Sequence, residues 1–377
     1  MKRTDRRSFL VAVAGTAAAA LVPSRAQGAP GKKAAPKARR GVLIGALKGV
    51  NAQTREQVHA LNLIDLDTGK RASIPLSFFA HGYALDPKNP RRAMIFEKRG
   101  PGAAEVDLRA GAYVRPLETI AGRAFYGHGV FSSDGSVLFV AENHLPTKKG
   151  LVSIWDGRTL ASLGEFPTYG ENPHDCILTD GGKALVITNG GGNFPDGDAP
   201  CVTIIDVASR KLLDRRTFTN PRINAGHVEL SKRGDMAVVS APLDGLPNAG
   251  LGAISLGSRS AGLVTMTQPE EVVSGMVGET LSISIHESSR IVAATSPLGD
   301  QLSFWTFDGR KHVNSLRVDN PRGVTQTLDR EYFVVCHGAE ATLSFFSTKT
   351  LEHASQLTVA KSGIAGSHLY TWAGRVS

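Results

Sequence analysis

The stretch "YGHGVFSSDGSVLFVAENH", residues 126–144, decides the fold. It reads as an apolar strand, a tight Ser-Asp-Gly turn and a second strand, with a histidine near each end. The same pattern recurs along the chain as "FAHGYALDP" at His81, "NPHDCILTDGG" at His174 and "AGHVELSKRG" at His227. Each is followed by a β-rich run: "RRAMIFE", "KALVITNG" and "DMAVVSAP". Weaker copies lie at Glu279 ("VGETLSISIHESSRIVAATSP"), Arg322 ("PRGVTQTLDREYFVVCH") and His368 ("GSHLYTW"). The steps between these seven positions are 47, 46, 53, 52, 43 and 46 residues.

Units of this length, built from alternating apolar strands and Gly/Asp turns, predict an all-β, seven-bladed β-propeller with one four-stranded blade per unit. Helical periodicity is scarce, which argues against an α/β fold. The seventh unit runs out of chain after one strand. "GVLIGAL" from Gly41, "VHALNLIDLDTG" from Val58 and "KRASIPL" from Lys70 supply its other three. The last blade is therefore expected to close by pairing N-terminal strands with the C-terminal one, leaving no open edge.

In such a ring the innermost strand of each blade runs along the central channel. His81, His128, His174, His227 and His368 all stand at the entrance to an innermost strand, so symmetry brings them to one channel mouth. Glu279 and Arg322 take that place in units five and six. The loops after second strands face the same way and add Glu97, Glu142, His144, Asn189 and His337 to the expected rim. Neutral imidazoles on rigid strands suit copper, iron, zinc or nickel. The competing reading is a scaffold one, in which a Gly-His step hydrogen-bonds neighbouring strands, as in WD-type propellers. His59, His286, His312 and His353 fall on outer strands or turns and read as surface residues.

Before the repeats lie forty residues of another character. Arg6 and Arg7 followed by "SFL", an apolar run from Val11 to Val22 and small residues at Ser24 and Ala26 read as a twin-arginine signal peptide over residues 1–26. Residues 27–40 form a basic Pro/Ala/Lys linker, and residues 41–377 the propeller. The apolar run is too short for a stable membrane span after cleavage. Export of the folded chain to the periplasm is the expectation.

Ten of the 43 Lys/Arg and one of the 34 Asp/Glu lie in those forty residues, leaving 33 of each sign in the remainder. A formally neutral folded part gives no ground for a nucleic-acid partner. Cys176, Cys201 and Cys336 lack redox spacing and read mainly as buried residues, with a Cys176–Cys201 bridge as the lesser option. "NGGGNFPDGDAP", residues 189–200, lacks the ending of a phosphate loop and the spacing of a calcium loop. Trp155 and Asp156 read as packing and turn-capping residues.

"GHGVFSSDGSVLFVAEN", "GLVSIWDGRT", "NPHDCILTDGGKALVITNGG", "IVAATSPLGDQLSFW" and "SHLYTW", in that order, resemble a family of bacterial exported seven-bladed propellers catalogued as a domain of unknown function. The resemblance runs from about Ala80 to Trp372 and matches all five entrance histidines. Arg322 stands where it leads one to expect a cysteine, and the segment after "TNGGG" is shortened. It implies periplasmic neighbours of imelysin or cytochrome type, linked to iron uptake.

Three functions follow as expectations. The first is a metal-handling propeller holding iron or copper on the five histidines, without turnover. The second is a metal-independent platform for periplasmic partners. The third is a lactonase- or oxidoreductase-type enzyme, which rests on fold analogy alone.

Overall fold

In the computed structural model, which describes residues 39–50, 53–258 and 261–377, the hairpin forms as expected. Strand Arg123–Phe131 pairs antiparallel with Val137–His144, and Gly135 turns the chain at φ +72°. Asp134 Oδ1 accepts from the hydroxyls of Ser132 and Ser136 at 2.6 and 2.7 Å and from the Ser136 N–H at 3.0 Å. Three donors hold this exposed carboxyl at a pKa of about 2. The signal peptide and residues 27–38 lie outside the described residues.

The chain is an all-β propeller. Among the described residues, five sheets stand alone and a sixth has eight strands. The eight-stranded sheet joins two expected units, Ala80–Pro116 and Arg123–Glu171, through a short pairing of Lys98 with Tyr126 and of Gly100 with Phe125. Strands Pro173–Thr179, Ala184–Asn189, Cys201–Asp206 and Leu212–Thr217 form one four-stranded meander. Two further meanders begin at Val228–Leu230 and Ser282–His286. The sheet starting at Val324–Gln326 has three strands, with single bridges Leu343–Val359 and Phe346–His353 in place of a fourth.

Closure is as the strand count requires. Leu369–Trp372 pairs with Val42–Val50, Gly45 opposite Leu369 and Val42 opposite Trp372, and the sheet continues outward through Gln57–Asp65 and Arg71–Leu76. Apolar residues from neighbouring sheets interlock. Phe139, Ala141, Val152 and Ile154 of one sheet pack on Leu185, Ile187 and Ile205 of the next. Such burial on both faces gives strands that read as nearly continuous apolar runs rather than strict alternations. Trp155 donates to Ser153 Oγ at 2.8 Å and Asp156 accepts the backbone N–H groups of Arg158 and Thr159, so both pack and cap as expected.

The innermost strands are not regular where the histidines sit. Pairing register breaks between Ala80 and Gly82, between Phe125 and Gly129, and between Pro173 and Cys176. A bulge adds residues to one strand and re-aims its side chains. Here the bulged residues include His81, His128 and His174. Gly127 adopts φ +105°, and a Cβ built there would lie 2.4 Å from the His81 ring. Gly127→Ala is therefore expected to cost about 1–3 kcal/mol through forced backbone strain. Urea unfolding of the variant checks this, and an unchanged midpoint would contradict it.

Three cysteines expected to be buried are buried and free, so the Cys176–Cys201 bridge is absent. His286 is a correction. It ends an innermost strand, is 8 % exposed, and its Nδ1 lies 2.7 Å from Ser289 Oγ. No described helix is long and apolar enough to cross a membrane.

Candidate metal centre

Five imidazoles from five of the repeat units, two of them on the eight-stranded sheet, converge on the axis. Ring centroids are 5.0 Å apart for His81 and His128, 4.4 Å for His174 and His227, and 4.0 Å for His227 and His368. His81, His128, His174 and His227 each present one ring nitrogen within 4.8 Å of the others. His368 falls outside that tetrad, although its ring packs on three of the four. All five are less than 9 % exposed.

Depth is the first difference from expectation. The histidines do not rim a mouth but separate two cavities inside the channel. His174 borders one of about 440 Å³, together with Lys98 near the end of a second strand and with Gly190 and Pro242, which follow second strands, so this is the predicted face. His128, His227 and His368 border the other, of about 350 Å³, further along the innermost strands with Tyr83, Asp175, Glu229 and Tyr370.

Hydrogen bonds fix part of the protonation pattern. His227 Nδ1 bonds the Leu281 carbonyl, an acceptor only, so Nδ1 carries the proton and Nε2 presents a lone pair. That Nε2 lies 2.8 Å from His174 Nε2, which must then donate to it. His128 Nδ1 lies 3.3 Å from Asp175 Oδ1. The Nε2 atoms of His81, His128 and His368 are buried without a hydrogen-bond partner. An unpaired buried ring nitrogen costs about 1–3 kcal/mol, so three at one point need a reason.

Burial holds every one of these histidines neutral. Desolvation comes first for all five, and the charge of Lys98 adds to it. His128 and His227 are each pushed down to about 3, while His81, His174 and His368 lie well below the usual imidazole value. Neutral imidazole is the ligating form. Zinc–nitrogen bonds of 2.0–2.1 Å place tetrahedral nitrogens about 3.3 Å apart. The four nitrogens lie within 4.8 Å of one another, with those of His174 and His227 already at 2.8 Å.

Of the expected rim, Glu279 alone lines the cavity over His174. Arg322 donates through Nε to the Ala365 carbonyl at 3.1 Å, tying down the segment before His368. The others turn into their sheets or turns, which corrects the expectation. Glu97 accepts the Gly102 N–H at 3.0 Å, and His144 pairs with Thr147 Oγ1 at 2.7 Å. Glu142 is fully buried, accepts from Ser153 Oγ at 2.7 Å, and has its pKa raised by burial. Asn189 is held by Thr168 and Thr203, and His337 by Ser344. Strand alternation is the cause: one residue of register turns a side chain from the channel into the blade.

The same alternation hid Lys98, the neighbour of Glu97, which lines the channel. Asp175 was also missed, though it follows His174 directly. It accepts the N–H groups of Cys176 and Val228 at 2.8 and 3.0 Å, which bridges two sheets and holds its carboxylate beside His128. A carboxylate behind a ligand imidazole orients the ring and raises its basicity, and losing one costs 10–100-fold in metal affinity. Asp175→Asn is expected to weaken any ion held by His128 by about that factor, 10–100-fold, in a metal titration. Unchanged affinity would detach Asp175 from the site.

Fold and site together define a β-propeller whose axis is plugged by buried neutral histidines that could hold a metal ion. A family model described as "Protein of unknown function (DUF1513)" matches residues 74–365, and the chain belongs to that family. A search of curated proteins finds no match. Among the many solved chains of similar shape, one titled "Kuenenia stuttgartiensis Hydrazine Synthase" superposes with a TM-score of 0.64. It is 11 % identical, covering 86 % of this chain and 100 % of that one, a likeness of fold alone.

Proposed function

We propose that this protein is a periplasmic, seven-bladed propeller that binds a transition-metal ion, iron or copper, and serves in uptake or handling of that metal. The eight-stranded sheet counts as two blades in this reading, and residues 1–26 serve as the twin-arginine leader. The ligands are His81, His128, His174 and His227, with His368 packed beside them. The observation that carries the proposal is the tetrad of buried, neutral imidazoles with one nitrogen each within 4.8 Å of the others, of which His81 and His128 keep an unpartnered Nε2. All-imidazole donors disfavour calcium and magnesium, which take oxygen ligands. Imelysin-type or cytochrome-type proteins are its proposed partners.

The scaffold alternative draws on a specific feature. Several ring pairs are near-perpendicular, at 81–86°, as aromatic edge-to-face packing prefers, and His227 does bond the next sheet through Leu281. Metal analysis separates the two readings. The purified protein, reconstituted with iron(II), copper(II) or zinc(II) and desalted, is expected to keep about one ion per chain. Less than about one-tenth of an ion for all three metals would leave the histidines as packing elements only.

A further inference from the structure

We infer that the cavity over His174 binds a small α-amino acid as its zwitterion, the carboxylate against Lys98 and Arg99 and the ammonium against Asp244 and Glu279, next to the metal position. The inference rests on the proposed metal centre for its purpose, but not for its geometry. Lys98, Arg99, Asp244 and Glu279 all line this half-open cavity of about 440 Å³, two cations and two carboxylates around one space, with Arg99 and Asp244 at its exposed edge. The side chain of Lys98 is half-buried, yet makes no hydrogen bond or ion pair among the described residues. An ammonium group taken partly out of water without a partner is costly, and a bound carboxylate removes that cost.

Arg99 is set for the same task. It holds φ +61°, a left-handed conformation that a side-chain-bearing residue adopts at a cost. Its Nε donates to the Tyr126 hydroxyl at 3.0 Å, and its guanidinium stacks over the Tyr126 ring at 5.3 Å from the centroid. The backbone pairing of Lys98 with Tyr126 joins two repeat units at this spot and anchors the segment. Two of the other polar groups on the wall are already engaged: Asn172 donates to Gly191 and accepts from Asn143, and Asn224 accepts from Ala241.

Chemistry selects the ligand class. A dicarboxylate would meet Asp244 and Glu279, and a simple amine would meet Lys98 and Arg99. A zwitterion satisfies both walls. While the ammonium stays protonated it has no lone pair, so a carboxylate oxygen is the donor that such a ligand offers to a metal whose protein ligands are all neutral imidazoles.

Glycine is the probe, tested on the full chain in metal-free form by calorimetry and in copper(II)-loaded form by the copper absorption band. Acetate, lactate and malonate serve as comparators. Glycine is expected to bind at least about tenfold more tightly than each comparator, one charge contact being worth roughly that factor. It should also shift the copper band. Lys98→Met and Glu279→Gln should each weaken glycine by a further factor of about ten, with the shift expressed per bound copper. Glycine binding to neither form, or binding indifferent to Lys98→Met, would overturn the inference. Lactate matching glycine would overturn the zwitterion assignment. Failure of copper to bind is read separately, since it removes the metal centre while the metal-free titration still decides the cavity.

Discussion

Replacing His128 and His174 together by alanine is expected to lower metal affinity by more than about 100-fold, because removing a carboxylate behind a ligand imidazole alone costs 10–100-fold. Both residues belong to the tetrad whose nitrogens lie within 4.8 Å of one another. Their loss leaves His81 and His227, too few to hold a transition ion against dilution. Each truncation also opens space in a packed axis, so the folded state must be checked by circular dichroism and thermal unfolding. His337→Ala is the control, since His337 pairs with Ser344 inside its own sheet. An isothermal titration showing equal affinity in the double variant and the parent would remove the centre from these residues.

Acid is expected to destabilise the metal-free protein well above the pH at which ordinary exposed carboxylates are titrated. His128 and His227 have folded pKa values of about 3, against 6.5 for the free side chain. The folded state therefore binds fewer protons than the unfolded one between these values. Stability is fully present above pH 6.5 and is lost as pH falls toward 3, at up to about 1.4 kcal/mol per pH unit for each histidine. His81, His174 and His368 act in the same direction.

Glu229 opposes them. Burial raises its pKa to about 8, so its protonated form favours folding and lowering the pH from 8 to 4.5 helps the native state. Glu142 and Asp175, whose pKa values burial also raises, act with Glu229, yet five histidines against these three carboxyls leave a net loss, steepest below pH 5 where Glu229 has little left to add. Urea midpoints measured at pH 7.5, 6, 5 and 4.5 should fall, with the steepest fall below pH 5. The double alanine variant should show a flatter dependence. A pH-independent midpoint for the parent would mean that the imidazoles are solvated.

Metal binding links the two results. Protons and metal compete for the same lone pairs, so a bound ion should shift the acid transition to lower pH. The shift should vanish in the double variant.

Local sequence carried much of the architecture. The spacing from His81 to His128 to His174 marked the repeat, "SSDG" fixed a turn that Asp134 does cap, and the missing strands of the last unit announced the pairing of Val42–Val50 with Leu369–Trp372. Strands and turns answer to neighbours a few residues away, so their pattern is written in short stretches. The convergence of five histidines followed from repetition alone.

Tertiary structure decided what those histidines face. Register breaks at His81, His128 and His174 aim the rings to the axis, and their extent is set by the partner strand rather than by the bulged one. Glu97 and Lys98 are adjacent in the chain, yet the first caps a turn and the second lines the cavity over His174. Asp175 reaches His128 only because the neighbouring sheet brings that ring to it. Depth, neutrality and the two cavities arise from sheets closing around an axis, which brings together side chains about fifty residues apart and removes water from all of them at once.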